Sequence, residues 1–214
     1  MPSGAPRLSG RRAEAARNDV RILDAARAVF LANPTAPIAD VARRAGVGIS
    51  ALYRRYPSKE ALLRELARDG LTRYIADLRA ALDEDSDAWD VYCRCIRRIV
   101  DGQSQALAQR VAGTFRPTPA LGRLARDASS LANEVHDRTQ RAGALRADVS
   151  PADIVLILEM ISFVDLPGPK HGQRLRHRYL ALLLHSLHAS GAAALPEKPA
   201  SEADLTARWT PESG

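Results

Sequence analysis

The stretch from Ala45 to Leu63, AGVGISALYRRYPSKEALL, constrains this chain more than any other, because it packs a tight turn, a short basic and aromatic helix and the start of a further helix into one run. Just upstream, Ile38, Val41, Ala42 and Ala45 fall at i, i+3, i+4 and i+7, the apolar stripe of a short amphipathic helix. Thr35-Ala36-Pro37 suits its start, since a proline in the first turn forfeits no helical hydrogen bond. Gly46 ends that helix, and after Gly46-Val47-Gly48 another begins. A short helix, a three-residue turn and a second short helix form the layout of a helix-turn-helix, whose second helix lies in a DNA major groove.

A helical wheel centred on Ile49 puts Leu52 and Tyr56 beside it, so that side is expected to pack on the domain. Ser50, Ala51 and Arg54 then face away, with Tyr53 and Arg55 on the two flanks. Arg54 suits a two-point hydrogen bond to guanine, and Ile49 or Ala51 suits contact with a thymine methyl. Tyr53, Arg55 and Lys59 are expected at phosphates, which fix register without reading sequence. Pro57-Ser58-Lys59-Glu60-Ala61 opens the following helix, with Ser58 or Pro57 at its cap.

Two arginines beside two tyrosines also describe an ordinary solvated helix face. The charge distribution favours the nucleic-acid reading. Residues 1–60 carry 11 Lys and Arg against 5 Asp and Glu, whereas residues 61–214 carry 20 of each, so the net +6 of the chain lies wholly in the first segment. A basic first domain on a neutral second one is the electrostatic footprint of a nucleic-acid module joined to another function.

The pieces ILDAARAVF, IADVARRAGV, LYRRY and SKEALL, in that order between residues 17 and 66, resemble the N-terminal domain of the tetracycline-repressor (TetR) family of bacterial regulators, over about a quarter of the chain. The resemblance implies a three-helix DNA-binding domain, a larger helical ligand-binding and dimerisation domain, and repression from a palindromic operator that a small molecule relieves. It also implies that Ile49, Ser50, Ala51, Tyr53, Arg54, Arg55 and Lys59 stand at positions that commonly touch DNA. Three departures from the common pattern stand out. Gly48 replaces a capping Ser, Ser50-Ala51 replaces Gly-Thr, and Ala39 replaces a polar residue able to reach a base, so the operator sequence does not transfer from a relative.

The rest of the chain reads as helical, giving an all-α expectation: an N-terminal helix-turn-helix domain and a C-terminal helical ligand-binding and dimerisation domain. Only 5% of residues are aromatic, and no β-branched alternation occurs. The expected divisions are a disordered basic arm over 1–16, with Arg7, Arg11 and Arg12; a DNA-binding domain over 17–62; an effector and dimerisation domain over 63–189; and a disordered tail over 190–214. Helix 1 is expected from about Asn18 to Ala32, with Leu23, Ala26 and Phe30 inward. A long helix follows the recognition element, its apolar face carried by Leu63, Leu66, Tyr74, Leu78 and Leu82. Trp89, Tyr92, Cys93, Ile96, Ile99 and Val100 form the next stripe, capped near Ser86 or Asp87. A less regular stretch runs from Asp101 to Phe115 and is broken at Arg116-Pro117-Thr118-Pro119, after which Leu121, Leu124, Ala128, Leu131 and Val135 repeat on one face.

These helices are expected to enclose a small-molecule effector, with Trp89, Tyr92, Cys93, Ile96, Phe115 and Leu124 as lining, although an apolar stripe also serves simply as core. Ser150-Pro151-Ala152-Asp153 caps a helix that is apolar on nearly every side through Ile154–Leu158, Met160, Ile161, Phe163 and Val164. A loop over Leu166–Gly172 leads to a last helix near Gly172–Ser190. A helix apolar all round needs cover all round, and a second subunit supplies it, with Ile157, Ile161, Leu180, Leu184 and Leu187 expected at a homodimer interface. Paired heads roughly 34 Å apart would read a two-fold symmetric site.

Signals for catalysis or a metal are weak. Cys93 and Cys95 point about 200° apart on a helix and suit neither a shared disulfide nor a shared metal, so buried structural cysteine is the simpler reading beside a redox-responsive one. His185 and His188 are one turn apart with no companion ligands. No phosphate-binding glycine loop, nucleophile elbow or paired His-Glu zinc motif occurs, and the expectation is a non-enzyme without cofactor or metal. No apolar run has the length of a signal core or a membrane span, which together with the reduced cysteines points to the cytoplasm. The competing reading is a helical ligand-binding protein that does not regulate transcription, and the intact Tyr53, Arg54, Arg55 and Lys59 group weighs against it.

Overall fold

A computed structural model describes residues 6–103, 107, 114–162, 168–189 and 193–206. Among these the regular structure is α-helical, apart from one isolated antiparallel bridge between Leu145 and His188. The helices are α1 (Pro6–Ala32), α2 (Ile38–Ala45), α3 (Ile49–Arg55), α4 (Lys59–Asp83), α5 (Ala88–Gly102), α6 (Pro119–Arg141), α7 (Pro151–Ser162), α8 (Pro169–Leu187) and α9 (Glu202–Thr206). No helix among the described residues is long and apolar enough to cross a membrane. The chain divides into two compact units: a head of Met1–Leu66 with Thr114–Arg116, and a body of Ala67–Gly113 with Pro117–Gly214. The division thus falls at Leu66, a turn beyond the end expected from the sequence.

In the head, α1 is helical from Pro6, so much of the segment expected as a disordered arm is helix. Pro6 at the first position costs no hydrogen bond, and the Ala, Arg and Glu that follow are strong helix formers, which outweighs their polarity. Leu23, Ala26 and Phe30 are buried as their spacing requires, as are Ile38, Val41, Ala42 and Ala45 of α2. Leu52, Tyr56, Leu62, Leu63 and Leu66 complete the packing, each large apolar side chain contributing about 1.5–3 kcal/mol by leaving water. Ser58 caps α4, its Oγ accepting from the Ala61 N–H at 3.0 Å.

The body core gathers α4 from Leu78 on with α5, α6, α7 and α8. Asp87 caps α5 by accepting from the Asp90 N–H at 2.9 Å. The buried face of α5 is Val91, Tyr92, Cys95, Ile96, Ile99 and Val100, which is turned from the expected stripe because Cys95, and not Cys93, points inward. Arg138 of α6 closes the end of α4, its guanidinium donating to the carbonyls of Ala81 at 3.1 Å, Leu82 at 2.8 Å and Glu84 at 2.7 Å. These are the terminal carbonyls that a helix cannot satisfy itself.

A reciprocal capping box opens α7: the Ser150 N–H donates to Asp153 Oδ2 at 2.8 Å, and the Asp153 N–H donates to Ser150 Oγ at 3.1 Å. Of its apolar run, Phe163 and Val164 lie outside the described residues, as do Leu166 and Pro167 of the expected Leu166–Gly172 loop, whose residues from Pro169 on are helix instead. The last long helix starts at Pro169, three residues before its expected beginning.

Residues 193–206, expected as disordered tail, run as a strap along the start of α7. Arg146 donates to the Ala193 carbonyl at 2.7 Å, Asp148 accepts from the Leu195 N–H at 3.0 Å and Asp153 accepts from the Ala200 N–H at 2.9 Å. Backbone groups that composition assigns to solvent are satisfied here by side chains distant in sequence. The Arg146 guanidinium, and after it the Leu195 N–H, hold the Asp148 carboxyl well below the usual carboxylate range. A carboxyl depressed in the folded state contributes stability above its unfolded pKa and loses it as pH falls through the folded one. The strap is therefore expected to persist through mildly acidic pH and to loosen only in strong acid, whereas Asp148→Asn loosens it at neutral pH. Hydrogen exchange at the Leu195 amide reads this as a roughly tenfold faster rate in the variant.

Candidate nucleic-acid interface

The turn between α2 and α3 is set by backbone. Gly46 closes α2 in the left-handed region at φ 66, Val47 donates to the Ala42 carbonyl at 3.1 Å, and Arg21 Nη2 reaches from α1 to the Ala45 carbonyl at 2.7 Å. A Cβ at Gly46 would lie 3.0 Å from Arg21 Nη2. Left-handed backbone costs a residue with a Cβ about 1–2 kcal/mol, and Gly46→Ala is expected to lower stability by about that amount in urea unfolding. Gly48 precedes α3 and offers no side-chain cap, which matches the departure noted in the sequence.

Leu52 and Tyr56, 0% and 3% exposed, seat α3 on the head. Ser50, Ala51 and Arg54 are exposed on the opposite side. Tyr53 is 47% exposed and Ile49 40%. Ile49, which the sequence set beside the packing side but also at a thymine methyl, stands in the open at the first turn. That leaves an uninterrupted outward face of small, aromatic and cationic side chains.

Two of the expected phosphate contacts are tied down inside the head. Arg55 forks onto Asp19 of α1, Nε at 2.9 Å from Oδ1 and Nη2 at 2.8 Å from Oδ2, with its guanidinium 5.2 Å from the Tyr56 ring centroid. Lys59 Nζ donates to the carbonyls of Pro34 and Ala36, both at 2.9 Å, and stands 5.1 Å from the centroid of the Phe30 ring. Its ammonium closes the link between α1 and α2, so losing Lys59 would strip partners from the head itself. Neither partner set was legible in the sequence, because Asp19 lies 36 residues from Arg55 and Pro34 lies 25 from Lys59.

The residues expected around an effector scatter. Trp89 stacks on Tyr92, centroids 5.8 Å apart and planes 20° apart, and meets the ring of His188 edge-on at 4.8 Å. Tyr92 is buried with a hydroxyl that has no partner among the described residues, and desolvation pushes its pKa up. Ile96 is buried in the core, while Cys93 and Leu124 are half-buried. Phe115 belongs to Thr114–Arg116, which groups with the head: the Arg116 N–H donates to Glu60 Oε1 at 3.2 Å and its carbonyl accepts from Arg64 Nε at 3.1 Å. A separate small, open cleft in the body is lined by Ile99, Val100, Gln103, Leu158, Ile161, Ser162 and Arg176. Most of the expected Asp101–Phe115 stretch lies outside the described residues.

The five residues expected at a dimer interface face inward instead. Ile161, Leu180, Leu184 and Leu187 are buried in the body core, and Ile157 packs partly buried against it. The apolar side chains left exposed on these helices are Met160 at 58%, Tyr179 at 44% and Leu182 at 59%. Cys95 is buried, its Sγ 3.8 Å from the Asp77 carbonyl, and burial pushes its thiol up to about 11; burial also raises Cys93. Thiols held protonated in this way are poor redox sensors. Among the described residues no three His, Cys, Asp or Glu side chains converge as a metal site.

Residues 22–66, the helices that build this face, match the family of bacterial regulatory proteins, tetR family. Over 83 residues the chain is 40% identical to the HTH-type transcriptional repressor LfrR of Mycolicibacterium smegmatis, an alignment that takes in 38% of this chain and 41% of that repressor. The chain thus spans less than half the length of the curated relative it matches. A TetR transcriptional regulator of Streptomyces coelicolor is similar at 27% identity and TM-score 0.57, with 81% of this chain and 99% of that one covered. A TetR regulatory protein of Mycobacterium vanbaalenii is similar at 27% identity and TM-score 0.58, covering 83% and 98%. LfrR in complex with proflavine shares the fold at 23% identity and TM-score 0.60, covering 84% and 99%. The head thus carries a DNA-binding domain of the tetR family of bacterial regulatory proteins, and over most of its length the chain is similar in fold to TetR transcriptional regulators.

Proposed function

We propose that the chain is a cytoplasmic transcriptional regulator, a homodimer that holds a two-fold symmetric operator with paired α3 helices and releases it when a small molecule occupies the body. The observation that carries the DNA-binding reading is the outward face of α3, where Ile49, Ser50, Ala51, Tyr53 and Arg54 are exposed on a helix seated by Leu52 and Tyr56. Ser50 and Ala51 are small enough to bring the backbone close to base edges, Arg54 supplies a guanidinium for guanine, and Tyr53 reaches a phosphate wall. Pairing of two copies is supported by the exposed apolar side chains Met160 on α7 and Tyr179 and Leu182 on α8. Effector control is supported by the cleft between α5, α7 and α8, with an apolar floor and polar groups from Gln103, Ser162 and Arg176. The relative LfrR has been seen holding proflavine.

Selection from a pool of randomised duplexes tests this reading. The wild-type chain is expected to enrich a two-fold symmetric site, and failure to enrich any sequence would overturn the DNA-binding proposal. Arg54→Ala is expected to flatten the preference at one position of each half-site, a loss of about 1–3 kcal/mol of discrimination. A variant profile of unchanged shape with uniformly weaker binding would move Arg54 to the phosphates.

A further inference from the structure

We propose that Asp19 is a positioning residue for the recognition helix: by gripping Arg55 at two points from α1, it sets the angle at which α3 presents Ser50, Ala51 and Arg54 to DNA. This rests on the DNA-binding reading of the head and adds a residue outside the reading helix to it.

Three observations lead here. First, α3 has few other anchors. It spans only Ile49–Arg55, its N-cap Gly48 makes no side-chain bond, and only Leu52 and the following Tyr56 bury its near side. Those two anchors fix the depth of the helix and leave rotation about its own axis weakly specified. Second, the Asp19–Arg55 contact supplies the missing constraint. Arg55 Nε approaches Oδ1 at 2.9 Å and Oδ2 at 3.1 Å, while Nη2 approaches Oδ2 at 2.8 Å. A planar guanidinium on a planar carboxylate fixes direction as well as distance, which a lysine in the same place would not. The pair is partly exposed, at 54% and 29%, so it adds little to global stability, and its effect is on orientation. Third, the electrostatics need an explanation. A carboxylate in a basic head costs affinity for a polyanion unless it does something else, and Asp19 also takes Arg55 away from phosphate binding. The remaining groups acting on Arg55 are the Tyr56 ring and, by charge alone, Glu65.

The same use of cations recurs around the motif. Arg21 holds the Ala45 carbonyl at the end of α2, and Lys59 holds the Pro34 and Ala36 carbonyls before it. Part of the head's positive charge thus fixes geometry, and Asp19 is the acidic member of that set.

The test turns on the sign of an effect. If Asp19 were only a surface charge, Asp19→Asn would tighten binding to every duplex and free Arg55 for a phosphate, steepening the salt dependence by about one contact per head. A positioning role has the opposite sign for a specific site. The experiment measures the full chain against a duplex recovered by the wild type from a randomised pool and against a scrambled duplex of equal length. Asp19→Asn is expected to weaken the selected duplex on the order of tenfold while leaving the scrambled one unchanged or tighter, and Asp19→Glu, which keeps the fork, is expected to restore most of the loss. Equal or tighter binding of both duplexes by Asp19→Asn overturns the proposal. So does a uniform loss on both accompanied by a lower melting temperature, which would mark a folding role, or a loss that Asp19→Glu leaves in place. A wild-type chain that selects no duplex would instead defeat the DNA-binding reading, so the two failures are distinct.

Discussion

Replacing Leu182 by glutamate is expected to leave a folded chain that sediments as a monomer, whereas the same change at Leu184 is expected to unfold the body. The two residues are half a turn apart on α8 and lie on opposite sides of it. Leu184 is 4% exposed and packs with Leu180, Leu187 and Ile161 in the body core. A carboxylate there has no cation to pair with among its core neighbours, and burying it costs more than about 4 kcal/mol, a large part of the stability of an ordinary domain. Leu182 is 59% exposed, on the same side as Tyr179, so glutamate costs the isolated chain almost nothing. In a homodimer formed through α7 and α8 it would place a charge in the apolar centre of the contact and raise the dissociation constant by at least about 100-fold. Sedimentation velocity with circular-dichroism melting separates the cases. A Leu182→Glu chain that sediments as the wild-type chain does would remove this face from the proposed interface.

Affinity for a selected operator is expected to fall by about 1,000-fold between 50 and 200 mM salt, the response of a complex that neutralises about six phosphates. Two heads, each offering the exposed cations Arg43, Arg44 and Arg54, make a count of this order reasonable. Fluorescence anisotropy across a salt series gives the slope, and a flat dependence would sink the groove-docking model. The clamps described above also sort the cations. Arg44→Ala is expected to lower the slope by about two contacts, one from each head, while changes at Lys59 show mainly as lost stability, because its ammonium serves the Pro34 and Ala36 carbonyls.

Local spacing in the sequence was enough to place the helix-turn-helix. Gly46 and Gly48 bracket the turn, Ile38, Val41, Ala42 and Ala45 line one face of α2, and Leu52 and Tyr56 seat α3, all of it decided within a few residues. The capping pairs Asp87 with Asp90 and Ser150 with Asp153 were legible for the same reason. Relations across long stretches of chain were not. Nothing near Arg55 announces Asp19, and nothing in the proline-containing tail announces Asp148 and Asp153 as its partners. The dimer residues failed on a related point. α8 carries Tyr179, Leu182 and Leu183 as well as Leu180, Leu184 and Leu187, and with two apolar sides periodicity cannot say which one turns inward. Phe115 was read as pocket lining by its apolar character, whereas backbone bonds from its neighbour Arg116 to Glu60 and Arg64 decide where it sits. On α5 the buried stripe keeps Tyr92, Ile96, Ile99 and Val100 but takes Val91 and Cys95 in place of Trp89 and Cys93, because apolar residues flank the shared face on both sides.

The commitment of Lys59 also decides how the molecule can be tagged. The chain has three lysines, Lys59, Lys170 and Lys198. The Lys59 amine is half-buried and engaged with two carbonyls, while Lys170 and Lys198 are exposed. Among the lysines, amine-reactive dyes will therefore favour the two in the body over the one beside the recognition helix, so lysine-borne fluorophores are carried into a binding measurement away from the surface being measured.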